Sequence, residues 1–133
     1  MKFILKPKSP YNFDLHLKAF SFSKPQPEVY ENGLWKRAFR LNFGRIIPVK
    51  VKSIGSTEES KLEVIILKKI SSKERKELKD KLSWIFNTKT DLLDLYNFMD
   101  KDPILREVKQ KLYGLRAFNY STVFEGVIKS IIQ

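Results

Sequence analysis

The chain has 133 residues, with 26 Lys and Arg against 15 Asp and Glu, a formal surplus of 11 positive charges. That length supplies one core of ordinary size and excludes two complete enzyme domains. Cysteine is absent and histidine occurs once, so disulfides, thiolate nucleophiles, iron–sulfur clusters and Cys-ligated zinc are excluded, and a His-based metal site or catalytic triad would rest on His16 alone.

Apolar residues make up 42% of the chain and aromatic residues 13%, enough buriable surface for a folded protein. The positive surplus points toward polyanions, although a Lys-rich solvated surface accounts for it equally well. The longest apolar runs, Val64 to Leu67 and Ile131 with Ile132, fall far short of the roughly 20 residues of a membrane span. The opening Met-Lys-Phe-Ile-Leu-Lys-Pro-Lys is too short in apolar residues for a signal peptide. The expectation is a cytoplasmic protein with no membrane contact and no cofactor.

Up to about Ile70 the apolar residues recur at every second position, the period of a strand. Phe13, Leu15 and Leu17 alternate with Asn12, Asp14, His16 and Lys18, which predicts a strand carrying His16 as a surface ring. Trp35, Phe39, Leu41 and Phe43 share one face with Arg37, while Lys36, Arg40 and Asn42 take the other. Ile47, Val49 and Val51 alternate with Lys50 and Lys52, and Leu62, Val64 and Ile66 with Glu63 and Ile65. Lys24-Pro25-Gln26-Pro27, Glu31-Asn32-Gly33, Phe43-Gly44 and the stretch from Gly55 to Ser60 punctuate these runs. The pattern predicts an antiparallel sheet of about five strands with one wet face.

From Ser71 the period changes to that of a helix. Ser71 and Glu74 form a capping-box signature ahead of the stripe Leu78, Leu82, Ile85 and Phe86. A second helix follows Thr88 to Asp91 and places Leu92, Leu95, Tyr96 and Met99 on one side. In the third, Asp102 is the N-cap, Pro103 opens the first turn, Ile104, Leu105, Val108 and Leu112 form the stripe, and Gly114 supplies the left-handed stop. A fourth opens at Thr122 with Glu125 as capping partner and runs through Phe124, Val127, Ile128 and Ile131. Its last turn, Ser-Ile-Ile-Gln, leaves two Ile to be covered, and the favoured expectation is that the chain is the front part of something longer.

Charge divides unevenly. Residues 1–70 hold 14 basic and 6 acidic groups, residues 71–133 hold 12 and 9, so the surplus sits on the sheet half. Catalytic patterns are missing: the five Gly are isolated, without a phosphate-cradling loop. Glu58 and Glu59 read as solvated turn residues, and Asp100 and Asp102 are accounted for by capping. The aromatic and basic alternation from Trp35 to Arg40 could stack bases and grip phosphate, but at strand spacing the aromatics belong to the core. No residue of this chain is assigned catalysis or metal binding.

The run Asp91-Leu92 to Tyr96, Asp102-Pro103-Ile104-Leu105, Tyr113-Gly114-Leu115-Arg116 and Phe124-Glu125-Gly126-Val127-Ile128-Lys129-Ser130-Ile131-Ile132-Gln133 resembles the opening of the helical domain in AlkA-like and 8-oxoguanine-type helix-hairpin-helix DNA glycosylases. Pro10-Tyr11-Asn12-Phe13 and Trp35-Lys36-Arg37 are similar to elements of the AlkA-type N-terminal domain. The resemblance implies an α+β fold: an antiparallel sheet of the kind seen in TATA-binding proteins, with a packed helix, over residues 1–87, and the first helices of an incomplete all-α domain over 88–133. It implies a non-catalytic part of a base-excision repair enzyme, inactive alone, which acts on double-stranded DNA with a damaged base. The catalytic Asp and DNA-gripping hairpin would belong to a missing C-terminal helical domain. DNA-binding positions would be Arg116, Lys129 and Gln133, and Phe20 would border the base pocket. Two other readings stay open: a self-standing nucleic-acid-binding module using Lys36, Arg40, Lys50 and Lys52, and a structural domain docking a partner chain through the end of the fourth helix.

Overall fold

A computed structural model of the chain describes residues 1–19, 27–42 and 44–132. In chain order the elements are β1 (Lys2–Leu5), α1 (Phe13–Ala19), β2 (Glu28–Glu31), β3 (Leu34–Arg40), β4 (Ile46–Ser53), β5 (Leu62–Ile66), α2 (Ser72–Ile85), α3 (Leu93–Met99), α4 (Pro103–Lys111) and α5 (Val123–Ile132). The five strands form one antiparallel sheet in the order β1-β5-β4-β3-β2. This is the α+β architecture the alternation predicts.

The sheet's two faces follow the period of two. Trp35, Arg37 and Phe39 lie opposite Val51, Val49 and Ile47, and together with Leu62, Val64 and Ile66 they build the inner face. Leu78, Leu82, Ile85 and Phe86 of α2 and its C-cap cover that face and are fully buried. On the outer face Lys36 stands directly opposite Lys50, and Lys2 and Lys52 both lie 3.4 Å from Glu63, so the basic wet face is present as read. Asn32 and Gly33, at φ 51° and 73°, close β2 onto β3, the left-handed pair that a two-residue hairpin needs. Phe43 and the Lys24-Pro25-Gln26 part of the expected turn lie outside the described residues.

One element differs from the alternation. Phe13 to Ala19 is a helix, and His16 is fully buried instead of forming a surface ring. Phe13 and Leu17 satisfy a spacing of four as well as of two, and the buried set Phe13, His16 and Leu17 has helical spacing. Asn12 Oδ1 accepts the Leu15 N–H at 3.0 Å, and Asp14 pairs with Lys18 one turn on at 2.7 Å. These local bonds select helix where the apolar pattern permits both.

The later helices start as read. Ser71 Oγ accepts the Glu74 N–H while the Glu74 carboxylate accepts the Ser71 N–H, closing the capping box. Asp102 caps α4 through the N–H groups of Ile104 and Leu105. Gly114 has φ +81°, and a Cβ there would lie 2.7 Å from the backbone N of Asn12, so both backbone geometry and close approach require glycine. Among the described residues no helix is long and apolar enough to cross a membrane.

Candidate functional site

Arg37 is the one basic residue on the inner face of β3. Its side chain is 8% exposed, and strand alternation leaves it no route to solvent. Nη1 donates to Glu28 of β2 at 2.8 Å and to Glu125 Oε1 at 3.3 Å. Nη2 donates to Glu125 Oε2 and to Ser121 Oγ, each at 2.7 Å. Ser121 Oγ in turn donates to Glu125 Oε2 at 2.5 Å, and Lys129 Nζ, one turn along α5, lies 3.4 Å from Glu125 Oε1. The guanidinium also sits over the Phe39 ring. This forked, charge-assisted arrangement ties β2, β3 and α5 together.

Burial by itself would push the Glu125 carboxyl up, but the hydrogen bonds from Arg37 and Ser121 and the charges of Arg37 and Lys129 hold it down at about 2. Glu28 shifts the other way: burial raises it, and the attraction of Arg37 offsets only part of that. One guanidinium thus serves two carboxylates and favours ionised Glu125 more strongly.

Most of the rest of α5 is apolar and exposed. Phe124 is 75% exposed, and Val123, Val127, Ile128, Ile131 and Ile132 are exposed with it. Ile104 and Val108 of α4, its C-cap Leu112, and Leu93, Leu95 and Phe98 of α3 are exposed in the same way. Patches of this extent mark an interaction surface.

Arg116 is 3% exposed. Its guanidinium donates to the carbonyls of Asn87 (2.8 Å), Pro10 (3.2 Å) and Lys8 and stacks over Tyr11. Three chain segments distant in sequence are therefore joined at one side chain. The same interior holds His16, in ring contact with Tyr11, Phe86 and Phe118. Burial and the nearby positive charge of Arg116 lower His16 to about 4, so it is neutral at physiological pH.

The positions expected from sequence to contact DNA therefore have different fates. Arg116 is engaged inside the protein, with its charge spent on backbone carbonyls. Lys129 packs against Glu125 and over the Tyr120 ring. Gln133 and Phe20 lie outside the described residues. No group of three or more His, Asp or Glu is placed to hold a metal ion among the described residues. Sequence reasoning missed the Arg37 network, although the signal was visible: a charged residue on an otherwise apolar strand face must have a buried partner.

A five-stranded antiparallel sheet backed by α2, followed by helices whose apolar faces lack cover, defines an α+β fold. The family model described as 8-oxoguanine DNA glycosylase, N-terminal domain, matches residues 15–125. Among solved structures the chain is similar to the 3-methyladenine DNA-glycosylase from Archaeoglobus fulgidus, at 31% identity and a TM-score of 0.78, over 98% of this chain and 44% of that one. No curated protein matches in sequence. The chain belongs to the family of 8-oxoguanine DNA glycosylase N-terminal domains, and it spans less than half the length of the similar glycosylase.

Proposed function

We propose that this chain is the non-catalytic N-terminal part of a DNA glycosylase of base-excision repair, in which residues 1–87 form the sheet domain and residues 88–133 begin the helical domain. The observation that carries this reading is the likeness to a glycosylase across 98% of the chain at 31% identity. The exposed apolar faces of α3, α4 and α5 support it, since further helices of the same enzyme would cover them. The partner substrate is double-stranded DNA with a damaged base, reached through the whole enzyme.

In this reading Arg116 and Lys129 are positioning residues. Arg116 ties the segment after Gly114 to the sheet domain, and Lys129 braces Glu125, whose bonds from Arg37 set the rotation of α5. Contact of Gln133 with DNA and of Phe20 with the flipped base remains part of the proposal and rests on the sequence resemblance.

The chain alone, incubated with duplexes carrying an alkylated purine or 8-oxoguanine, is expected to release no base. Release above a heat-denatured control overturns the reading. A folded chimera carrying the helical remainder of the Archaeoglobus enzyme is expected to excise a damaged base. A stably folded chimera that binds DNA and leaves every lesion intact also counts against it.

A further inference from the structure

Three shallow clefts adjoin around the C-terminal turns of α2. The first, of about 490 Å³, is lined by Lys6, Lys8, Lys79 and Lys89, by the end of β1 and by Ser83 and Thr88, with no carboxylate in its lining. The second, of about 470 Å³, shares Ser83 and Lys89 with it and adds Asp80, Trp84 and Asn87. The third, also about 470 Å³, shares Trp84 and continues past Phe118 and Tyr120 to the start of α5. The shared residues make one continuous track, basic at one end and aromatic from its middle onward.

We infer that this track binds a single nucleic-acid strand, its phosphates held by Lys6, Lys8, Lys79 and Lys89 and an unpaired base stacked on Trp84. Four ammonium groups face one lining carboxylate, Asp80. Among the described residues the four lysines form one ion pair, Lys8 with Asp91 at 3.4 Å, whose side chains are both more than half exposed, so it holds Lys8 weakly. All four lysines stand on exposed positions where they can follow a backbone.

Trp84 is 61% exposed, an unusual setting for the largest apolar side chain. Its indole N–H donates to the Tyr120 carbonyl at 3.0 Å, which fixes the ring instead of letting it fold onto the surface. A fixed, exposed ring beside a row of cations is the combination that single strands use, since every base has a face to stack and the lysines track the phosphates. In a duplex the bases are already stacked on one another and cannot reach it. An acidic peptide would satisfy the lysines and leave the indole face without a planar partner. The inference rests on the cleft linings alone and stands or falls separately from the glycosylase reading.

Fluorescence anisotropy of the full chain with a short, undamaged, labelled oligo(dT) strand tests it. Micromolar binding at low salt is expected, with log K falling against log salt at a slope of about −2 to −3 for four phosphates. The pair Lys79→Gln and Lys89→Gln is expected to flatten that slope by about 1.4. Trp84→Leu is expected to weaken binding about tenfold. Because the other tryptophan, Trp35, is fully buried, quenching of indole fluorescence on binding reports Trp84, and it should vanish in Trp84→Leu. The three substituted positions are exposed, and thermal melts confirm that each variant folds. No binding, binding indifferent to both sets of substitutions, equal competition by polyglutamate, or tighter binding of the matching duplex would each overturn the inference.

Discussion

Arg37→Ala removes the guanidinium hydrogen-bonded to both Glu28 and Glu125, and its consequences can be worked out from the geometry. The substitution leaves two carboxylates facing a site from which the guanidinium has gone, with Lys129 still 3.4 Å from Glu125 and its charge still attracting both. Breaking a buried ion pair by deleting one partner costs about 3 to 5 kcal/mol. Where that cost falls depends on how each element is held. The sheet is anchored by Trp35, Val49, Val51, Val64 and the α2 stripe, none of which touches the network's energy directly. α5 has six exposed apolar residues, and the bonds that tie it to the sheet run from Arg37 to Glu125 and to Ser121 just before the helix. A helix of 10 residues does not persist in water once undocked. The loss should therefore appear as selective melting of α5. In native-state hydrogen exchange, amides of residues 123–132 should lose protection by about a hundredfold or more, at 1.4 kcal/mol per factor of ten. Amides of β4 and α2 should change by much less. Unchanged protection in α5, or equal loss in β4 and α2, would refute the argument that Arg37 seats this helix.

Acid should act on the same seat. Because the Glu125 carboxyl is held at about 2 in the fold against an ordinary 4.5, its stabilisation is complete above pH 4.5 and is lost as pH falls toward 2. The difference corresponds to about 3 kcal/mol. Glu28, raised in the fold, contributes with the opposite sign and offsets part of this, and α5 protection that stays constant between pH 5 and pH 2 would contradict it. Gly114→Ala should destabilise the chain by about 2 kcal/mol or more, from the left-handed φ together with the contact on Asn12 N. A urea midpoint within error of the parent would show that this approach relaxes freely. Arg116→Lys should not rescue Arg116→Ala, because a single ammonium cannot span the carbonyls of Asn87, Lys8 and Pro10. Equal stability of the Lys variant and the parent, measured by thermal melt, would count against the strut.

The parts of the fold that were legible in the sequence are those governed by local rules. Trp35, Phe39, Ile47, Val49 and Val51 fall on one face because the strand period leaves no alternative, and Ser71 with Glu74 is a cap because both reciprocal bonds lie within one turn. Helix α1 was not legible from the apolar alternation, because Phe13 and Leu17 fit both periods and the deciding bonds come from polar residues, Asn12 and the Asp14–Lys18 pair. Arg37's inward side was legible, but its main partner lies 88 positions away in sequence, beyond the reach of any local pattern. Arg116 shows the limit of reading a motif: Gly-Leu-Arg identifies a family, while the direction of the guanidinium is set by where Lys8, Pro10 and Asn87 bring their carbonyls.

Helix α5 divides its surface in a way that explains why a costly charged network is kept. Apart from the strip carrying Glu125 and Lys129, its exposed side chains are Ser130 and six apolar residues, Val123, Phe124, Val127, Ile128, Ile131 and Ile132, the composition of a helix meant to be covered on several sides. Such a helix could dock on the sheet in many rotations at nearly equal energy, since apolar contact is non-directional. A buried ion pair adds little net stability over an apolar pair of similar volume, but it tolerates one geometry only. With Nη1 and Nη2 of Arg37 each committed to a different oxygen of Glu125, α5 can lie against the sheet in one rotation. The network therefore fixes the direction in which α5 lies against the sheet, and with it the directions in which its apolar faces are presented to whatever packs upon them.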